Sequence, residues 1–381
     1  MKAAVFVLSA LCAIATASPA QAQFGALGKI KKAADTAVDT KEKVEALNFS
    51  DAEERQLGDQ VSLKLRERFG VYQNEAVTKY VSLVGATLAQ GSTRPALDWQ
   101  FVVLDTDGVN AYAAPGGIIH ITRGLLGLMK SEAQLAGVLG HEITHVTVKH
   151  TVRAIQRSKS ISIGADTAGG SGGLKSQLIA KVADKAFQSL FDGAFSREDE
   201  EESDQAGVRL ASKIGYVPGG MIEVLKTIDA RNGSREDRNG LFASHPATRD
   251  RITKIDKGIK DEKLAGTATA EARYAKTITF DAKPVTEVAM DVEGAAGLAS
   301  GNKKKDDAKK DDEKKEEPKK RGFGLGSITG GKQTQASQQT ASAGARGGVP
   351  DRDATGGPNK NPLGVKITAA ELEAFKKGIG A

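Results

Sequence analysis

The most constraining feature of the sequence is the segment His141-Glu142-Ile143-Thr144-His145, a His-Glu-x-x-His pattern within a long helical stretch. Residues four apart on a helix share a face, so both imidazoles can reach one zinc ion. Glu142 projects from the same side, displaced along the helix, where it can reach a water beside that ion. The pattern therefore predicts a metal site that needs a further ligand from elsewhere in the fold.

An acidic segment further along the chain offers that ligand. Catalytic zinc sites take three protein ligands and leave the fourth position to water. In the helix predicted from Ser196, Glu200 and Asp204 are four apart and share a face. Glu200 fits the third ligand, and Asp204 is placed to accept a hydrogen bond from the free ring nitrogen of a ligand histidine. The alternative is an acidic first turn that only stabilises its helix through the dipole, which the nearby histidine pair disfavours.

Hydrophobic periodicity predicts a mostly helical α+β fold with a small sheet. Amphipathic helices are expected over 53–69, 75–89, 132 to about 157, 175–191, 196–214, 219–229, 248–259 and 368–379. Ser131 caps the helix that carries the histidines. Strand composition marks 99–104, 110–115 and 118–122, and a further strand is expected over 277–280. The pattern therefore predicts a mostly helical domain with a small sheet, over about residues 50–262, followed by a disordered tail.

The N-terminal residues indicate the compartment. Lys2, a short apolar run and the small residues ending at Ala22 are typical of a cleaved secretory signal peptide. The apolar run is shorter than the roughly 20 residues of a spanning helix, which disfavours a retained anchor. Cys12, the one cysteine, lies inside this segment, and Leu11 stands where a lipobox needs a small residue. The mature chain is thus expected to be periplasmic and without disulfides.

Composition divides the chain into six segments. We expect a signal peptide (1–22), a polar helical segment (23–49), the metal-binding domain (50–262), an extension (263–300), a low-complexity disordered linker (301–361) and a short C-terminal helix (362–381). The formal net charge is +6, but 301–321 alone carries ten Lys/Arg and seven Asp/Glu. Half of the excess is therefore solvated linker charge, and with 5% aromatic residues the chain offers no stacking platform for nucleic acid.

Four segments resemble one peptidase family. They are Asn110-Ala111-Tyr112-Ala113-Ala114-Pro115-Gly116-Gly117, the His-Glu-x-x-His pattern, the Ser-Arg-x-x-Glu-x-Glu-x-Asp run from Ser196, and His-Pro-x-x-x-x-Arg from His245 to Arg251. Their order is similar to that in the zinc metallopeptidase family of HtpX, BepA and the CAAX prenyl endopeptidases, a gluzincin family, over about residues 50–260. The resemblance is strongest to the soluble periplasmic members. It implies a zincin-like domain whose edge strand lies beside the active-site helix.

The resemblance also implies roles for single residues. His141, His145 and Glu200 would bind one Zn²⁺ per chain, with Asp204 behind them, and Glu142 would be the general base and acid. Asn110, Ala111, Tyr112 and Ala113 would form an edge strand that pairs with the substrate backbone. His245 would lie near the metal, as a removable fourth ligand or as a donor to the oxyanion, with Arg251 close by as a second candidate donor. Ser203 and Ala114 depart from the family's usual Ala and Leu.

The other histidines have plainer readings. His150 lies nine residues after His141 and out of phase with it on a continuous helix, so we expect packing or helix-partner hydrogen bonding rather than metal binding. His120, inside a predicted strand, is expected to be structural.

The expected function is a zinc-dependent endopeptidase that acts on unfolded or misassembled envelope proteins. Peripheral association with a membrane stays open. The alternatives are a binding or chaperone module, which would not need Glu142, a zinc hydrolase for small substrates, which would not need the edge strand, and a structural envelope protein, which would explain only the charged tail.

Overall fold

A computed structural model describes residues 49–157, 173–191, 195–232, 245, 248–284 and 365–379. The expected signal peptide, nearly all of the polar segment that follows it and the low-complexity linker lie outside the described residues.

The described helices and strands follow one another in the order that periodicity predicts, and two short helices, Arg123–Leu128 and Glu271–Thr277, are additional. The helices are α1 Asp51–Phe69, α2 Glu75–Gly91, α3 Arg123–Leu128, α4 Glu132–Thr147, α5 His150–Arg157, α6 Gly173–Ser189, α7 Arg197–Ile214, α8 Gly220–Asn232, α9 Thr248–Asp261, α10 Glu271–Thr277 and α11 Ala369–Lys377. The strands are β1 Gln100–Leu104, β2 Ala111–Ala114 and β3 Ile118–Thr122. The α+β fold class is confirmed.

The three strands form one sheet in the order β1-β3-β2. β1 runs parallel to β3, and β2 runs antiparallel to it, with Tyr112 opposite His120. The turn between β2 and β3 passes through Gly116 at φ 72°, a left-handed conformation that glycine adopts without strain. A Cβ there would also lie 2.5 Å from the Arg55 Cα of α1. β2 is thus an edge strand held against α1 by its turn.

Helix α4 is positioned by its cap and by two glycines. The Ser131 hydroxyl accepts from the backbone N–H of Gln134 at 3.2 Å, as the sequence predicts. Gly140 of α4 faces Gly207 of α7, where an added Cβ would lie 2.8 Å from the Gly207 carbonyl oxygen. Because neither position carries a side chain, the two backbones approach closely. This close approach brings the acidic start of α7 to the histidines of α4.

Two sequence predictions of local structure are wrong. The helix expected from 132 to about 157 is two helices, since Lys149 takes a left-handed φ of 61° between α4 and α5. The strand expected over 277–280 is the last residue of α10 followed by non-strand backbone. Tyr274 of α10 is buried and donates to the Leu126 carbonyl at 2.6 Å, so packing favours a helix there over an apolar strand with no partner strand among the described residues.

The C-terminal helix α11 packs on the same domain. Leu372 is buried, and the Phe375 ring lies 4.2 Å from the Arg273 guanidinium carbon. Lys79 of α2 pairs with Glu371 at 2.5 Å. Within the described ranges, no helix is both long and apolar enough to span a bilayer.

Candidate active site

The predicted ligands come from three separate parts of the chain. His141 and His145 lie on α4, Glu200 lies in the first turn of α7, and His245 precedes α9. All four side chains are buried, and one ligand atom from each lies within 4.8 Å of the others. The structure therefore brings together the three ligands expected from spacing and the histidine that the family resemblance placed nearby.

The separations between these atoms fit a zinc site. The Nε2 atoms of His141 and His145 are 3.0 Å apart, and each lies 3.6 Å from an oxygen of Glu200. His245 Nδ1 lies 2.8 Å from Glu200 Oε1 and 3.3 Å from His141 Nε2. Zinc–nitrogen bonds of about 2.1 Å at tetrahedral angles would place ligand atoms roughly 3.4 Å apart. The donor types and their spacing thus both suit zinc.

Glu142 is buried beside this group and is left without a hydrogen bond. Its side chain is 1% exposed, and neither carboxylate oxygen has a hydrogen-bond partner among the described residues. Its Oε1 lies 3.7 Å from His245 Nε2. Burial raises the pKa of Glu142 above its ordinary value, against the opposing pull of His245 and His141. A desolvated carboxylate with a raised pKa beside a metal site has the properties of a general base.

Asp204 and Arg251 form a buried pair behind the ligands. Arg251 donates to both oxygens of Asp204 at 2.7 Å, and Asp204 Oδ1 lies 3.0 Å from His141 Nδ1. Burial opposes ionisation, but Arg251 outweighs it and lowers the pKa of Asp204. Asp204 thereby stays charged, with its Oδ1 close to the ring of His141.

The Nη1 atom of Arg251 faces Glu200 and His245. It lies 3.1 Å from Glu200 Oε2 and 3.3 Å from the backbone carbonyl of His245. Burial would raise the pKa of Glu200, but His245 and Arg251 together lower it, so the carboxylate is ionised and ready to bind a cation. Arg251 lies close to the site, as the resemblance implies, and this geometry suits positioning of ligands better than contact with an oxyanion.

The predicted substrate strand is covered in this structure. Asn110 and the whole of β2 are buried, and the Ala113 carbonyl accepts from the Thr151 hydroxyl at 3.4 Å. The Tyr112 ring packs against Phe69 and Phe191, with ring centroids 6.0 and 5.3 Å away. A peptide that pairs with β2 would therefore have to displace part of this cover.

Sequence reasoning missed Phe195 at the site and did not identify the hydrogen-bond partners of His150. Phe195 stacks on His145 with ring centroids 4.2 Å apart, and its position just before the Ser196 cap was the available signal. His150 lies outside the four-ligand group, but its Nδ1 is 3.0 Å from His145 Nδ1. The signal for that contact, a break after α4, is not visible in the periodicity. His120 lies in β3 and its Nε2 is 2.9 Å from the Ser62 hydroxyl, away from the metal group.

Comparison of the sequence with known proteins finds similarity to peptidases. Residues 75–259 match the family described as Peptidase family M48. The Beta-barrel assembly-enhancing protease of Escherichia coli (strain K12) is 27% identical over 220 residues, or 54% of this chain and 43% of the relative. Mitochondrial metalloendopeptidase OMA1 of Schizosaccharomyces pombe is 29% identical over 187 residues, or 49% and 54%. Metalloprotease LoiP of Escherichia coli (strain K12) is 23% identical over 215 residues, or 56% and 83%. The chain spans about half the length of the first two.

The fold and the site define a zinc metalloendopeptidase domain, in which helix α4 supplies two histidines and helix α7 a glutamate. Residues 75–259 form a peptidase family M48 domain. The family resemblance drawn from the four sequence segments is confirmed, and with it zinc as the metal that fits the buried His-His-Glu-His group.

Proposed function

We propose that the chain is an exported zinc-dependent endopeptidase that hydrolyses unfolded or misassembled envelope proteins. The observation that carries this proposal is Glu142, a buried carboxylate without a hydrogen bond beside four convergent metal ligands. A binding or structural protein has no use for an unsatisfied buried acid, which costs stability unless chemistry needs it. A hydrolase needs a base at that position.

The roles follow from the contacts. His141, His145 and Glu200 hold the zinc, which when bound supplies a Lewis acid for the scissile carbonyl and lowers the pKa of water. Glu142 takes the proton of the attacking water and returns it to the leaving amine, and burial raises its pKa, which makes the carboxylate a better proton acceptor. Asp204 fixes the ring of His141, and Arg251 fixes Asp204.

The edge strand supports an extended peptide as substrate. A chain added beside Asn110–Ala113 would be held through its backbone, a binding mode that tolerates many sequences. It also requires the peptide to have free backbone groups, which folded proteins do not offer along a strand's length. Thr151 would have to release the Ala113 carbonyl first. This combination favours unfolded chains over folded ones.

The proposed compartment rests on the sequence and on relatives. The first 22 residues have the features of a signal peptide, and one relative is named a beta-barrel assembly-enhancing protease. We therefore propose a periplasmic protease of envelope quality control. Intact mass of the protein purified from a periplasmic fraction should correspond to cleavage after Ala22.

The substrate class can be tested with one protein in two states. Native disulfide-bonded ribonuclease and its reduced, alkylated form share a sequence and differ only in folding. The zinc-loaded enzyme is expected to cleave the alkylated form and spare the native one, and Glu142→Gln is the matched inactive control. Equal cleavage of both forms would contradict the preference, and cleavage of neither form by the wild type and by His245→Ala alike would contradict the proposed activity.

We further propose that His245 keeps the enzyme latent at rest. Its Nδ1 lies 3.3 Å from His141 Nε2 and 2.8 Å from Glu200 Oε1, close enough for the three atoms to bind one zinc ion. A fourth protein ligand would occupy the position that water needs. Substrate or a partner would then displace it. The opposing reading makes His245 a donor to the oxyanion. The two differ in sign, because removing a block raises the rate and removing an oxyanion donor lowers it by roughly 10²–10³-fold.

His245→Ala distinguishes these readings directly. Latency predicts faster cleavage of a fluorogenic peptide with unchanged zinc content. A large loss of rate with zinc retained would refute latency and favour the oxyanion role.

A further inference from the structure

His150 contacts the side of a ligand histidine that faces away from the metal group. The Nε2 atom of His145 points into the four-ligand group, 3.0 Å from His141 Nε2, and its Nδ1 points out of it. That outward nitrogen lies 3.0 Å from Nδ1 of His150, whose side chain is fully buried. The other nitrogen of His150 faces carboxylates, at 3.2 Å from Glu202 Oε2 and 3.6 Å from Asp199 Oδ1.

These contacts fix the direction of the hydrogen bonds. A neutral imidazole that presents the Nε2 lone pair to a metal carries its proton on Nδ1. The Nδ1–H of His145 therefore donates to His150 Nδ1, which also lies 3.3 Å from the Ser203 hydroxyl and can accept from it. His150 must then be unprotonated at Nδ1 and carry its own proton on Nε2. That Nε2–H then donates to the acidic start of α7, chiefly to Glu202. The result is a chain of hydrogen bonds from the metal group to a carboxylate.

A break in the backbone makes this contact achievable. On a continuous helix, residues five apart point about 140° away from each other, so their rings would not meet. The left-handed Lys149 ends α4 and restarts the chain as α5 at His150. The Lys149 Nζ lies 2.8 Å from Oε2 of buried Glu54. A non-glycine residue in this conformation is strained, and such strain persists where the surroundings impose it.

The two ligand histidines on α4 are oriented by different chemistry. His141 meets a carboxylate directly, since its Nδ1 is 3.0 Å from Asp204. His145 meets a neutral ring that stands between it and the carboxylates of Glu202 and Asp199. We propose that His150 is a positioning residue, which fixes the tautomer and orientation of His145 for zinc binding. This inference rests on the proposed zinc peptidase site and adds a residue to it.

Two substitutions separate positioning from packing. His150→Leu introduces an apolar side chain of similar bulk and removes the acceptor. His150→Gln keeps an acceptor for the His145 Nδ1–H and a donor for Glu202. Val152→Ala, a buried position on the same helix, is the control for packing of α5.

The main readout is zinc affinity, measured by chelator competition on the full chain. Loss of such an outer hydrogen bond typically weakens metal binding 10–100-fold. We expect that weakening in His150→Leu, recovery to within a few fold of wild type in His150→Gln, and wild-type affinity in Val152→Ala. Equal weakening in the Leu and Gln variants would show a packing role and overturn the proposal, as would a Leu variant that binds zinc like wild type.

A second readout does not depend on any variant folding. Long-range nitrogen–proton NMR of the zinc-loaded wild type should show His145 protonated at Nδ1 and His150 at Nε2. A His145 ring without an Nδ1 proton would overturn the proposal. A wild-type protein that binds no zinc would instead refute the proposed function, so the two failures are distinguishable.

Discussion

Helix α4 is anchored at its start by a buried carboxylate with four donors, and this anchor allows a quantitative test. Glu132 is 0% exposed and accepts from Tyr80 at 2.7 Å, from Tyr216 at 2.5 Å and twice from Arg273. Burial, and then the charge of Glu132, raise the pKa of both tyrosines, which stay protonated donors. The partners come from α2, the turn after α7, and α10, so one carboxylate ties three segments to the active-site helix.

Glu132→Gln should therefore destabilise the domain strongly. The amide has one acceptor oxygen where the carboxylate has two, and it leaves the half-buried Arg273 charge without its counter-ion. Breaking a buried pair by removing one partner costs about 3–5 kcal/mol. For a domain of this size, 1 kcal/mol shifts Tm by about 2–4 °C, so the expected drop is about 6–20 °C.

The assay is thermal unfolding of the zinc-loaded protein followed by circular dichroism. Glu223→Gln is the matched control, because Glu223 forms an exposed pair with Lys226 and should shift Tm by little. The double variant Glu132→Gln/Arg273→Met should lose less than the sum of the single losses, since it removes the stranded charge. A Glu132→Gln protein within about 1 kcal/mol of wild type would refute this account of the anchor.

Three further predictions concern the ligands, the tail and pH. His141→Ala, His145→Ala and Glu200→Ala should each lose zinc, and Glu200→Ala with full metal content by mass spectrometry would end the ligand assignment. Deletion of 301–381 should leave a folded, zinc-loaded peptidase. Loss of the docked helix α11 should lower the free energy of unfolding by about 1–2 kcal/mol, or Tm by roughly 2–8 °C. An unchanged Tm would show that the docking contributes nothing to stability. Burial lowers the pKa of His120 to about 3. Below pH 6.5 the unfolded chain therefore binds a proton at His120 that the folded chain does not. This contribution should lower the free energy of unfolding as pH drops from 6.5, with a slope approaching about 1.4 kcal/mol per pH unit. Urea unfolding of metal-free wild type and His120→Gln at pH 4, 5 and 7 tests this, and equal slopes for the two would contradict it.

The site residues that the sequence made visible are those joined by helical spacing. His141 and His145 are four apart on α4, and Glu200 and Asp204 are four apart on α7, so periodicity alone pairs them. The meeting of the two helices depends on a backbone contact at two glycines, which no local pattern marks. His245 entered only through family resemblance, because no periodicity links it to the rest of the site.

The errors also have physical causes. The helix expected from 132 to about 157 is interrupted because Lys149 takes a left-handed conformation, with its Nζ 2.8 Å from buried Glu54 Oε2. The apolar residues after Thr277 read as a strand, but Ile278 is buried against the domain with no strand beside it among the described residues. In both places tertiary contacts outweighed local preference.

The most direct test of the central claim is Glu142→Gln with zinc content and hydrolysis measured on the same sample. The substitution removes the proton acceptor and leaves every ligand atom in place, so the variant should bind zinc stoichiometrically, as the wild type does. Its cleavage of β-casein should fall by about 10²–10⁴-fold, the range for loss of a general base. A zinc-loaded Glu142→Gln protein that cleaves β-casein at the wild-type rate would contradict the assignment of Glu142 and, with it, the proposed mechanism.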